Sequence, residues 1–541
     1  MSFLSCIDTD CFIYLLVQSI LHSSTLLHLT LLLFLTFLDV QAGRFGPNAG
    51  VDNSGNPVSN LSLATAIPYE VCIIACGSGP EAFSCAWLLP WLALLSQLPF
   101  GANDRLENFM TVVLTVGSPV LAAYSAALTV LNGRWIVRRF SGSTYPNTYR
   151  AIRAPIELDL DRETLLPSLI DLLEHLNYTH TWSISAGTSI AWVFIAYVFT
   201  LVDSLSEVQQ GIEVNGQAVG SVWLWLLPVV VAWLQISPKY ALRRANNTAY
   251  VATPTVSNHY AISFREDHNP LHDDERCTSP IYNYARLFSW TAVVEEIAGR
   301  FHEATRRAHL FQPVASETAW IPNDRNGDMQ EENRIGTEYE VIAYCSTFFP
   351  RIWKRIIVAS VLALVLQWGT AGAAIFVVWE TPTRGLGCRS GSYIIYTLLS
   401  TIVWALLLLS SILARYSTFD YQLRDPQETK SYHLRASLAG TMSIITRRLG
   451  KVLAAVNAIG LMLICVFQFS AFFDRCYCDS SALGQGTANA FFVIKLNPED
   501  LDPMRGAWIG GVFMAVISAL VYMCFITMCL KPHIPHSIKR E

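Results

Sequence analysis

Charge is what this sequence lacks. Aspartate, glutamate, lysine and arginine make up 15% of its 541 residues, where soluble domains carry about a quarter. Eight stretches hold none of the four: 82–100, 109–132, 183–202, 220–237, 356–379, 392–413, 452–473 and 507–530. An ionisable group inside a span persists only with a use, so its absence disfavours a proton-coupled or charged-substrate carrier. It also removes the general acid, base or metal ligand that an intramembrane enzyme needs. The chain has no phosphate-cradling Gly-rich loop, nucleophile elbow or kinase set. Net charge is also small, at -5, and gives no support for nucleic-acid binding. Neither an enzymatic activity nor a cofactor is expected.

Apolar residues are abundant instead, 52% of the chain, and they cluster in blocks of roughly 20 that span about 30 Å of hydrocarbon as helices. The predicted fold is all-α, a polytopic transmembrane bundle in contact with the lipid bilayer and built of four helical hairpins with amphipathic cytosolic helices. An apolar leader, 1–42, and a polar N-terminal segment, 43–81, precede the first hairpin, 82–132. A loop at 133–181 with an amphipathic stretch leads to the second hairpin, 183–237. A long polar segment, 238–355, then separates it from the third hairpin, 356–413. A basic loop, 414–451, the fourth hairpin, 452–530, and a tail, 531–541, complete the chain.

Orientation follows from the basic residues. Thirty of the 37 lysines and arginines fall in 133–181, 238–355, 414–451 and the tail, and many lie beside segment ends, where they count. Those loops and the C-terminus are placed in the cytosol, which gives an integral membrane protein of the secretory pathway or plasma membrane. The leader leaves two versions open. Val40-Gln41-Ala42 offers a signal-peptidase pattern without a positive n-region. Cleavage there puts Asn60-Leu61-Ser62 outside as a glycosylation site and makes 82–100, with Pro90 and Pro99, a re-entrant element, leaving seven spans. Retention as a span gives nine, and Arg44 favours this mildly.

Three of the 13 cysteines, Cys388, Cys476 and Cys478, sit in connectors on the oxidising side. A disulfide from Cys388 to Cys476 or Cys478 would tie two hairpins together there. Inside the spans the most polar groups are Gln235, Gln367, Asn457 and Gln468, read first as interhelical hydrogen-bonding groups and second as a lining for neutral cargo. The polar segment has one folded candidate, an amphipathic helix at 284–310. Its apolar face carries Leu287, Trp290, Val294, Ile297 and Phe301. Packing on the bundle or the inner interface is its first role, and a cytosolic protein partner its second. Asp267, His268, His272, Asp273, Asp274 and Cys277 meet no zinc spacing, so no metal site is expected.

The stretch Trp87 to Asn103, the run Thr115 to Trp135, Gly385-Leu386-Gly387-Cys388-Arg389-Ser390-Gly391 and Arg475-Cys476-Tyr477-Cys478 resemble a group of uncharacterised fungal multi-spanning membrane proteins, from about residue 68 to the end. The resemblance implies a multi-pass fold and carries no activity. The reading placed first is a membrane scaffold or sensor acting through its cytosolic segment. The alternative is a channel or carrier for neutral or lipidic cargo.

Overall fold

The computed structural model describes residues 50–53, 55–58, 64–75, 88–98, 105–140, 184–206, 219–236, 273–277, 279–288, 291, 294–295, 310, 349–422, 430–470, 472–496 and 498–530. Among these described residues four short strands, β1 (Gly50–Val51), β2 (Pro57–Val58), β3 (Ala66–Pro68) and β4 (Phe491–Val493), accompany ten helices of seven residues or more. These are α1 (Tyr69–Ala75), α2 (Leu88–Leu95), α3 (Arg105–Gly117), α4 (Pro119–Phe140), α5 (Ile184–Ser206), α6 (Leu226–Ile236), α7 (Phe349–Glu380), α8 (Cys388–Gln422), α9 (Lys430–Phe469) and α10 (Pro498–Leu530). They form two compact units. One comprises residues up to Ala82, Val378–Gly391 and Ser470–Met504, and the other holds the rest.

The smaller unit gathers three distant parts of the chain. Its sheet has the order β2-β1-β3-β4, antiparallel throughout, with Ala66 opposite Val493 and Pro68 opposite Phe491. Val51, Ala66 and Phe491 form its apolar core. A turn after β1 is closed by Gly55 N–H to Asp52 O at 3.0 Å. Gly55 has φ +81°, and a Cβ there would lie 2.7 Å from the Phe491 ring, so both backbone and space call for glycine. Two disulfides cross-link the unit, Cys388–Cys478 and Cys72–Cys476. The first is one of the two expected pairings. The second brings in Cys72 of the N-terminal segment, a partner that connector-to-connector reasoning passed over.

In the larger unit, helices dominate. Across the described residues, five helices are long and apolar enough to cross a membrane: Ile184–Val202, Ile352–Glu380, Cys388–Ser417, Ala436–Gln468 and Asp500–Leu530. Candidate membrane-spanning helices thus stand in the places of the second, third and fourth expected hairpins. The long helices overrun the charge-free blocks. Of the expected basic loop 414–451, the described residues, 414–422 and 430–451, are helical, and 423–429 lies outside the described residues. A lysine or arginine ends a hydrophobic run, but it is a good helix former and each added residue contributes one more backbone bond. α8 and α9 meet through Ser443 Oγ donating to Ser410 O at 2.7 Å. α7 packs on α10, where a Cβ on Gly369 would lie 2.3 Å from Ser518 Cβ. Absence of a side chain there permits the close approach that drives helix association in lipid.

The first two expected hairpins differ from their prediction. In block 82–100 the described helix, α2, has eight residues, about 12 Å long, and 82–87 and 99–100 lie outside the described residues. Block 220–237 is interrupted, because Trp223–Trp225 is a turn between Val219–Val222 and α6. Pro228 lacks an N–H and its ring excludes the carbonyl four residues back, Leu224, so three-residue hydrogen bonds such as Leu226 N to Trp223 O at 2.9 Å replace the helical ones. Block 109–132 is not one helix. α3 and α4 meet at Ser118 with a bend of 107°.

Candidate functional site: a polar segment seated in the bundle

The break between α3 and α4 begins with Pro119, which pushes Ser118 out of the helical region and sets the first turn of α4. A helix end in an apolar bundle exposes backbone groups that must find partners. Here each end is answered. On the α3 side, Tyr396 Oη donates to Val116 O at 3.0 Å, and Asn457 Nδ2 donates to Gly117 O at 2.8 Å and Tyr396 O at 3.0 Å. On the α4 side, Leu121 N–H donates to Ser118 Oγ at 3.3 Å and Val120 N–H to Ser400 Oγ at 3.4 Å. Ala122 N–H donates to Ser118 O at 3.1 Å, and Ser118 Oγ donates to Ser400 O at 2.8 Å. A Cβ on Gly117 would lie 2.0 Å from Ala454 O, so glycine lets α3 touch the α9 backbone. Of the four intramembrane polar residues, Asn457 is therefore a fastener of this joint, with its donors committed to backbone.

The described residues within 273–295 of the long polar segment sit against this broken pair. A single helical turn, Asp273–Arg276, presents Asp274, whose side chain is 1% exposed, to Lys451 of α9 with Nζ–Oδ1 at 2.5 Å. Tyr284 Oη also donates to Asp274. Next comes a 3₁₀ turn, Pro280–Tyr282. Ser279 N–H donates to Glu107 Oε1 of α3 at 2.8 Å. Ser125 Oγ of α4 donates to Pro280 O at 3.0 Å and Ile281 O at 3.1 Å. Asn283 Nδ2 donates to Thr129 Oγ1 at 2.6 Å, and Arg286 donates to Ser279 O at 2.7 Å. Farther along, Arg355 of α7 donates to Thr291 Oγ1 at 3.3 Å and Asn132 Oδ1 at 2.6 Å, with its guanidinium 4.2 Å from the Trp135 ring centre. Arg139 pairs with Glu295 at 2.9 Å.

Apolar burial accompanies these bonds. Ile281, Tyr282, Tyr284, Leu287, Phe288 and Val294 are buried, which stabilises the seat by about 1.5–3 kcal/mol for each large side chain removed from water. The enclosure shows in the titrating groups. Burial, then Asp274 and Glu107, push the Cys277 thiol up to about 12. Burial lowers Arg286 to about 10. Burial followed by Asp274 holds the Tyr284 hydroxyl well above the ordinary range.

Of the expected amphipathic face, Leu287 and Val294 are 1% exposed, and 283–288, 291 and 294–295 are helical. Trp290, Ile297, Phe301 and Asn60 lie outside the described residues. Gln367 is 1% exposed and its amide finds no partner among the described residues, as holds for the side-chain oxygens of Gln235 and Gln468. A cavity of about 20 Å³, lined by Leu98, Thr111, Thr115, Ala122, Trp233 and Ser279 to Ile281, lies beside the seat. That is room for about one water, and Gln367, Asn457 and Gln468 do not line it. No group of metal-binding side chains occurs among the described residues. Sequence reasoning missed Asp274, Lys451, Glu107 and Arg355 as partners, because each stands far in the chain from the residue it answers. The chain matches no protein-family model, no curated protein and no solved structure.

Proposed function

We propose that this membrane protein is a scaffold or sensor that works through its long polar segment, with residues 273–295 as the mooring that holds the segment's two arms to the bundle. The observation that carries the reading is the pair of ion pairs spent on that mooring, the buried Asp274 with the part-exposed Lys451 and the half-buried Arg139 with Glu295. Burying charge is costly even when paired, and a loop with no work to do has no need of it. The arms are cytosolic on the charge asymmetry of the loops, and the disulfide-bearing unit faces an oxidising compartment. The partner is a cytosolic protein. Deleting residues 284–310 should abolish proximity labelling of that partner while the protein still inserts, and undiminished labelling would overturn the reading.

A second reading, a channel or carrier for neutral or lipidic cargo, draws on the broken pair α3–α4, since discontinuous helices build substrate sites in transporters. Against it, the backbone groups at this break are bonded within the protein. Liposomes bearing the purified protein decide: uptake of small neutral solutes above that of empty liposomes would favour this second reading.

A further inference from the structure

We infer that α3–α4 is a re-entrant hairpin, with both limbs opening on the side of the basic loops, and that Ser279 to Asn283 is the plug filling its mouth. Three observations carry this. The bend of 107° exceeds a right angle, so the 13 residues of α3, about 20 Å long, run back by about 6 Å along the α4 axis instead of continuing it. Independently, Glu107 and Thr129 both bond to the five residues 279–283, which reach about 14 Å at full extension. In one straight helix those two residues would stand about 33 Å apart. Finally, Ser400, which holds the turn at Ser118, lies 12 residues into α8, about 18 Å from its start and so near mid-bilayer.

The plug follows from what lies between the limbs. Ser125 of α4 holds the carbonyls of Pro280 and Ile281 while Glu107 of α3 holds Ser279, and the small cavity with Thr111 and Thr115 lies at this contact. Irregular backbone survives at membrane depth only where protein covers it or water reaches it, and here the plug covers it. The Asp274–Lys451 pair latches the plug to α9. This reading is independent of the scaffold proposal, since the plug can close the hairpin whether or not the arms bind a partner.

Cysteine labelling tests both parts in the full-length protein. Leu106→Cys and Arg138→Cys, at exposed ends of the two limbs, should react with a membrane-impermeant maleimide from the same face of sealed vesicles. Reaction from opposite faces would show a crossing and end the hairpin. Thr115→Cys, behind the plug, should react slowly with a small thiosulfonate from that face. Adding Asp274→Asn should speed it at least tenfold, and an oxidised Thr129→Cys/Asn283→Cys crosslink should reverse the gain. Equal rates with and without Asp274→Asn, in a protein that the crosslink shows to be folded, would mean that nothing is plugged.

Discussion

Replacing Lys451 with methionine isolates the latch. Asp274 is 1% exposed and Lys451 27% exposed, so the two partners are not equivalent. Losing the ammonium strands a carboxylate that cannot reach water, a cost of about 3–5 kcal/mol. Losing the carboxylate leaves a lysine whose stem can turn its charge toward solvent. The seat should therefore open about 10² to 10³·⁵ times more often in Lys451→Met, and distinctly less often in Asp274→Asn. The double variant Asp274→Leu/Lys451→Met should recover most of the loss, because an apolar pair replaces a buried ionic one at little cost. Cys277, three residues from Asp274, reports the opening. Its alkylation in detergent micelles, followed by peptide mass spectrometry, should rise in the order parent, double variant, Asp274→Asn, Lys451→Met. Identical rates in Lys451→Met and the double variant would refute the reasoning, since the stranded charge would then contribute nothing.

Four further outcomes are expected. The Cys277 thiol, raised to about 12 from an ordinary value of 9.0, should react about 10³ times more slowly at pH 7.5 than in a free peptide of the same sequence, in proportion to its thiolate. A raised folded pKa makes its stabilisation complete below pH 9 and lost as pH rises toward 12; circular dichroism and alkylation rates across that window check the sign. Asn457→Leu should lower thermal stability by about 1–3 kcal/mol, because it uncaps Gly117 O and Tyr396 O, whereas Gln367→Leu, whose amide has no partner among the described residues, should be neutral or stabilising. Gly117→Ala drives a methyl onto the Ala454 carbonyl and should cost about 1–3 kcal/mol or more, read as a loss of folded yield. With a protease site placed in 423–429, the two halves should stay joined on a non-reducing gel after Cys72→Ser alone or Cys478→Ser alone, and should separate in the double variant.

Much of this was legible in the chain itself. Hydrocarbon thickness and the cost of an unpaired peptide group leave few options for a run of about 20 apolar residues. The cores of α5, α7, α8, α9 and α10 could thus be read from composition alone, as could one of the two disulfides as an open choice between Cys476 and Cys478. Where a helix ends was less legible, because Arg447, Arg448 and Lys451 interrupt hydropathy without interrupting hydrogen bonding. Tertiary structure alone decided the rest. Pro119 announces a kink, but its size depends on Ser400, Tyr396 and Asn457 being at hand to take up the freed backbone groups. Asp274 reads as one more acidic loop residue until Lys451 is brought beside it from 177 positions away. Local sequence fixes which segments leave water. Partners contributed across hundreds of residues fix which polar groups can afford to follow them, because a buried charge or carbonyl is tolerated only where its complement is already in place.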